Sequence, residues 1–192
     1  MIITISGSPG SGKSTITKLL EEKLVAERIY VGGIRRELAK EKGMTLLELN
    51  EYAKTHPETD VNIDKQVAAK ARNLEKKGKT VLVEGRTQFH FLPESIKFFI
   101  FVDEEEGAKR IWNELKNEKN KEQRNEGIIT SLEMMKQQVL QREEEDAARY
   151  KKYYGFDHRD KQHYDFILDT TKISVQEACE KILTYLKKKI NH

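Results

Sequence analysis

At 192 residues, with 35 Lys+Arg against 32 Asp+Glu and a formal charge of +3, the chain is sized for a single domain and is too nearly balanced to present a general nucleic-acid or membrane surface. Charged residues make up 35% of it, yet the apolar ones recur in periodic groups, which excludes a disordered polyelectrolyte. The longest dense apolar run, residues 98–102, is too short to span a bilayer, and no basic leader precedes an apolar stretch, so a cytoplasmic location is expected.

Residues 2–6 (IITIS) form an apolar, β-branched run suited to a strand buried on both faces. It ends at Gly7-Ser8-Pro9-Gly10-Ser11-Gly12-Lys13-Ser14-Thr15, which satisfies GxxxxGK[ST] at every fixed position, and Ile16, Leu19, Leu20 and Leu24 then recur at helical spacing. A glycine-rich turn between strand and helix directs main-chain N–H groups inward at anionic oxygens, and the helix N-terminus adds partial positive charge. Lys13 then reaches the β- and γ-phosphates of a nucleoside triphosphate, and the Ser14 hydroxyl is the expected Mg²⁺ ligand.

Residues 29–31 read as a second strand ending at Gly32-Gly33, and residues 34–42 as a helix stopped by Gly43. Thr45 and Glu48 have capping-box spacing for a short helix that ends near Pro57. Thr59 or Asp60 caps a longer helix whose seam is Ile63, Val67, Ala71 and Leu74 and which closes at Gly78, so residues 34–78 form a helical excursion. Residues 81–83 are a third buried strand that delivers Glu84-Gly85-Arg86 to its carboxyl end, where open α/β sheets bind ligands.

Residues 96–102 are the fourth strand, and the following helix carries Ala108, Ile111, Trp112 and Leu115 behind an acidic first turn, residues 104–106. Residues 117–127 turn polar, with Lys116, Lys119, Lys121 and Arg124 in or beside them, and read as part of a mobile lid over residues 113–128. Thr130 and Glu133 cap a long helix through Met135 and Val139 to about Tyr154, with Gly155 as its stop. Residues 166–168 make a fifth strand, and Ser174 with Glu177 caps a last helix on whose apolar stripe the lone Cys179 falls, a core position. The whole, residues 1–192, is one α/β domain: a P-loop three-layer α/β/α sandwich with a five-stranded parallel sheet and right-handed crossovers.

Arginines at strand ends carry the second half of the chemistry. Arg35 and Arg36 follow strand two, and Arg86 follows strand three. On the long helix Arg142, Asp146 and Arg149 share one face, where the carboxylate orients both guanidinium groups or accepts a ligand hydroxyl; the competing reading is a surface ion-pair ladder, which suits Arg35 better than Arg36. A fork of arginines around one phosphate loop matches a second anionic group, so two phosphates are held in line for transfer. Glu84 is either an outer organiser of Mg²⁺ water or a partner for Arg86. With glycine and arginine, not a carboxylate base, after strand two, the acceptor is expected to be a phosphate and not an alcohol. His158 and His163, near Asp157 and Asp160, match no closed metal spacing.

The loop GSPGSGKST, the segment GGIRRE at 32–37, VEGR at 83–86, the R-x₃-D-x₂-R spacing from Arg142 to Arg149 and the tail YDFILDTTKIS together resemble cytidylate kinase of the compact archaeal type, over nearly the whole chain. The resemblance implies ATP as phosphoryl donor with Mg²⁺ and CMP or dCMP as acceptor. It implies that residues 7–15 bind ATP, that Arg36 and Arg86 hold the acceptor phosphate, and that Arg142 and Asp146 lie near its sugar. It places Arg149 near the transferring phosphoryl group and Arg110 beside the bound donor at the base of the lid; apart from the resemblance, a monomer is expected. One position departs: bacterial relatives have aspartate directly after the arginine of this Gly-Arg pair, whereas this chain has Thr87 followed by Gln88-Phe89-His90-Phe91. Base selection is therefore open, and another nucleoside monophosphate kinase, for uridylate or adenylate, fits the same spacing. A nucleotide-operated switch is the rival from another class, although residues 117–120 (NEKN) are not the guanine-reading NKxD and no DxxG follows strand three.

Overall fold

Alternation along the first strand sets up the layers. In β1 (Ile2–Gly7), Ile3 and Ile5 point to one face of the sheet and Ile2 to the other, as a period of two requires. The computed structural model describes residues 1–117, 120, 122, 124 and 128–190. Five parallel strands among them, β1, β2 (Glu27–Tyr30), β3 (Val81–Glu84), β4 (Ile96–Phe101) and β5 (Phe166–Asp169), are ordered β2-β3-β1-β4-β5. Against one face, α1 (Lys13–Leu24) brings Ile16 and Leu20, and the last helix, Val175–Ile190, brings Ala178, Cys179, Ile182 and Leu186, onto Ile3, Ile5, Phe98 and Ile100. Each isoleucine, leucine and phenylalanine side chain among them, fully buried, contributes roughly 1.5–3 kcal/mol. On the other face Val67, Ala68 and Ala71 of α4 (Glu58–Lys76) cover Ile2, Val81 and Val83. The α/β/α sandwich is as expected.

β1 ends between the β2–β3 side and the β4–β5 side, so the chain reverses direction across the sheet beside it, and the crevice at its carboxyl end is the natural ligand position. Around that end stand α2 (Val31–Glu41), α3 (Leu46–Ala53), α5 (Gln88–Phe91), α6 (Glu104–Glu114) and α7 (Leu132–Tyr154); the final helix is α8. Among the described residues no helix is long and apolar enough to cross a membrane.

Several boundaries differ from the sequence reading. β2 runs from Glu27 to Tyr30, not through Val31, and Gly32-Gly33 lie in the first turn of α2 instead of ending a strand. The Tyr30 ring explains this, because a Cβ at Gly32 or Gly33 would lie 2.9 or 2.7 Å from its ring carbons, so the glycines make room for an aromatic ring. α4 begins at Glu58 behind Pro57, which suits the entry to a helix, and neither Thr59 nor Asp60 caps it. α7 is capped by Ser131, whose Oγ accepts from the Met134 N–H at 3.1 Å, instead of by Thr130. The short helix α5 has no helical period in its QFHF sequence, so local pattern does not predict it. The capping boxes at Thr45/Glu48 and Ser174/Glu177 form as read.

Candidate active site

The phosphate loop is fixed by backbone contacts that only glycine allows. Gly7 has φ +145°, and a Cβ there would lie 2.0 Å from the Ile100 carbonyl oxygen; Gly10 has φ +72°, and its Cβ would meet the Gly107 carbonyl oxygen at 2.2 Å. The loop is thus clamped between β4 and α6, and the Ser8 N–H donates to Ile100 O at 3.0 Å. Lys13 curls over it, donating to the carbonyls of Gly7 at 2.7 Å and Ser8 at 2.6 Å and to Ser11 Oγ at 3.3 Å. Burial, with the Arg86 guanidinium second, pushes its pKa down to about 7, so its charged form gains most when an anionic ligand arrives.

Beside the loop, Ser14 donates to Glu84 Oε1 at 2.5 Å, while Arg28 holds Glu84 Oε2 at 2.5 Å. The guanidinium partner of Glu84 is therefore Arg28, not Arg86. Ser14 and Glu84 both line the cleft and present hard oxygen donors of the type Mg²⁺ takes together with phosphate oxygens and water. These residues fit the ion.

Across a cleft of about 700 Å³ lies the arginine wall. Arg36 is held by the Tyr30 hydroxyl at 2.7 Å, Gly32 O at 3.1 Å and Arg124 O at 2.9 Å. Arg86 pairs with Asp146 and, at 2.6 Å, with Glu143. Arg142 Nε stands 3.8 Å from Asp146, and Arg149 donates to Asp146 at 2.6 Å and to Asp60 at 2.8 Å. Arg35 completes the run by pairing with Asp60 and donating to Asn50 Oδ1 at 2.9 Å. The trio on α7 is thus an interior lattice and not a surface ladder. Lys13, Arg36, Arg86, Arg142 and Asp146 line one cleft with loop residues 9–15. Arg149, only 1% exposed at its side chain, lies behind that lining.

Other expected positions fall elsewhere. Arg110 is outside the cleft lining, donating to the carbonyls of Thr170 and Thr171 at 2.9 and 3.2 Å and paired with Glu106. Of the lid, Lys119 and Lys121 lie outside the described residues; Arg124 is described, pairs with Glu114 at 2.8 Å and reaches the cleft wall. His158 is buried edge-on to Tyr150, and His163 stacks on Phe89.

The sequence reading missed Arg28, Tyr30, Asn50, Asp60 as an arginine partner, Asp64 and Glu143. A signal existed for two of them. Asp60 and Asp64 are four apart on an amphipathic helix, which puts both carboxylates on one face. Asp64 is buried, accepting from Thr87 Oγ1 at 2.9 Å, Gln88 Nε2 at 2.7 Å and the Tyr154 hydroxyl at 2.7 Å, and burial raises its pKa to about 6.

A glycine-built phosphate loop at the carboxyl end of a parallel sheet, facing a wall of oriented arginines, defines the P-loop kinases. A family model described as an AAA domain matches residues 3–151. The cytidylate kinase of Archaeoglobus fulgidus is 35% identical over 184 residues, covering 95% of this chain and 93% of that protein. That of Methanosarcina mazei is 37% identical over 175 residues, covering 90% and 88%. The shikimate kinase of Acinetobacter baumannii shares the fold, with a TM-score of 0.56 at 16% identity over 98% of this chain and 93% of that one. The chain belongs to the cytidylate kinase family.

Proposed function

We propose that the enzyme transfers the γ-phosphoryl group of ATP to CMP or dCMP, giving ADP and CDP or dCDP. The observation that carries this reading is the meeting of Lys13 and the phosphate loop with Arg36 and Arg86 in one cleft: a place for a triphosphate opposite a place for a second phosphate. Arg36 and Arg86 hold the acceptor phosphate, and Arg142 with Asp146 lies by its sugar. An acceptor phosphate oxygen attacks the γ-phosphorus, the bond from that phosphorus to the β–γ bridging oxygen breaks, and ADP leaves with the electron pair. The acceptor oxygen is already ionised, so no side chain needs to take a proton from it. Catalysis is then positioning and charge stabilisation, with Lys13 following the charge that develops on the transferring group. Mg²⁺, held through Ser14 with Glu84 behind it, supplies charge neutralisation at the phosphates when bound. Arg149 locks Asp146 and Asp60 in place.

A coupled assay of ADP formation across CMP, dCMP, UMP and AMP tests the reading. CMP or dCMP should stimulate ADP formation far above basal hydrolysis. Equal turnover with and without every monophosphate would refute it.

A further inference from the structure

One wall of the cleft is not used by the transfer chemistry. Asp64 lines it from α4 and Asn50 lines it from α3. A carboxylate has about four lone-pair positions. Those of Asp64 are met by three donors, Thr87, Gln88 and Tyr154, which leaves an acceptor position on Oδ1. Asn50 offers the opposite polarity. Arg35 is a pure donor and claims the amide oxygen of Asn50, so the NH₂ group faces away from it, and among the described residues that group makes no hydrogen bond. The same guanidinium pairs with Asp60, one helical turn before Asp64, so Arg35 ties the Asn50 amide to the helix that carries Asp64, and both side chains line the cleft. Ile63 adds an apolar side chain to the same lining.

An acceptor beside a donor, on an apolar wall, complements a ring edge with an amino group next to an unprotonated ring nitrogen. We propose that Asp64 and Asn50 select the acceptor's base: Asp64 accepts from the 4-amino group of cytosine and Asn50 donates to its N3. Uracil presents the reverse pattern, with a carbonyl oxygen toward the carboxylate and an N–H toward the amide donor, and is rejected by repulsion and an unmet donor. This inference deepens the kinase reading and rests on it. Thr87 and Gln88 act here as positioning residues, since they orient Asp64 from the strand end that also carries Arg86. The raised pKa of Asp64, about 6, fits an ionised carboxylate that is short of solvent and gains from one more donor.

The test deletes the amino group from the ligand before any residue is changed. With the unmodified enzyme, the monophosphate of the pyrimidin-2-one riboside, which lacks the 4-amino group but keeps N3 and O2, should show a KM about 20-fold or more above that of CMP at similar kcat. In Asp64→Asn that difference should fall to within about threefold, and the UMP-to-CMP ratio of kcat/KM should rise at least about 20-fold, with the KM for ATP unchanged. Equal KM for CMP and the analogue in the unmodified enzyme would overturn the proposal even if Asp64→Asn failed to fold. So would a loss in Asp64→Asn that is the same factor for CMP and UMP, which marks a structural role only. If CMP drives ADP formation but these ratios do not move, the base-reading inference alone fails. If no monophosphate drives it, the kinase reading fails with it.

Discussion

The donor wall of the cleft takes its binding groups from nine consecutive residues, 7–15, most of them main chain, whereas the acceptor wall is drawn from α2, α3, α4, α7 and the end of β3 and consists of side chains. The first is held by glycine-only contacts at Gly7 and Gly10, which no side-chain exchange elsewhere reproduces. The second is held by alternating charges: Arg35, Asp60, Arg149, Asp146, Arg86 and Glu143. A backbone site is preformed and sequence-local, while a lattice of ion pairs exists only after long-range folding and depends on every member. Damage to the donor wall should therefore cost chemistry, and damage to the acceptor wall should cost stability and acceptor affinity.

The largest effect should come from Lys13→Ala. Turnover falls roughly 10³-fold, while CMP affinity by calorimetry stays within about threefold. A comparable loss of CMP affinity would break the separation of the two walls. Next, Asp60→Ala removes the carboxylate that Arg35 and Arg149 share in the interior, and urea unfolding should show a loss of about 3 kcal/mol or more. A loss below about 1 kcal/mol would mean that the lattice is not structural. Arg36→Ala should raise the acceptor KM about tenfold or more with the ATP KM held. An unchanged acceptor KM would remove Arg36 from the acceptor wall.

The smallest effect is a proton. Free Lys13 has a pKa near 7, and phosphate oxygens raise it again, so at pH 8 binding of MgATP should take up close to one proton, seen by calorimetry in buffers of different ionisation enthalpy. Uptake follows because the free lysine is mostly neutral at that pH and the bound one is charged. Lys13→Met should abolish it.

This contrast also decides what the sequence could reveal. The loop is legible because its spacing is local, and the strand runs and two of the three capping boxes, at Thr45 and Ser174, are legible for the same reason. Arg36, Arg86, Arg142 and Asp146 were placed in the cleft because they follow strand ends or share a helix face. Pairings between distant parts of the chain were not legible, since Arg28 reaches Glu84 across 56 residues and Arg149 reaches Asp60 across 89. Gly32-Gly33 misled the strand boundary because their purpose, room for the Tyr30 ring, is a packing fact that no local pattern states. Resemblance alone puts Arg110 beside the nucleotide, and its hydrogen bonds here go to the carbonyls of Thr170 and Thr171.

The claim that one cleft grips two phosphates at once is tested most directly with a bisubstrate inhibitor, adenosine and cytidine joined through their 5′ oxygens by a chain of five phosphates. Steady-state inhibition should be competitive against ATP and also against CMP, with an affinity well beyond that of either nucleotide alone. Inhibition competitive against ATP only, at the affinity of ATP itself, would contradict the account.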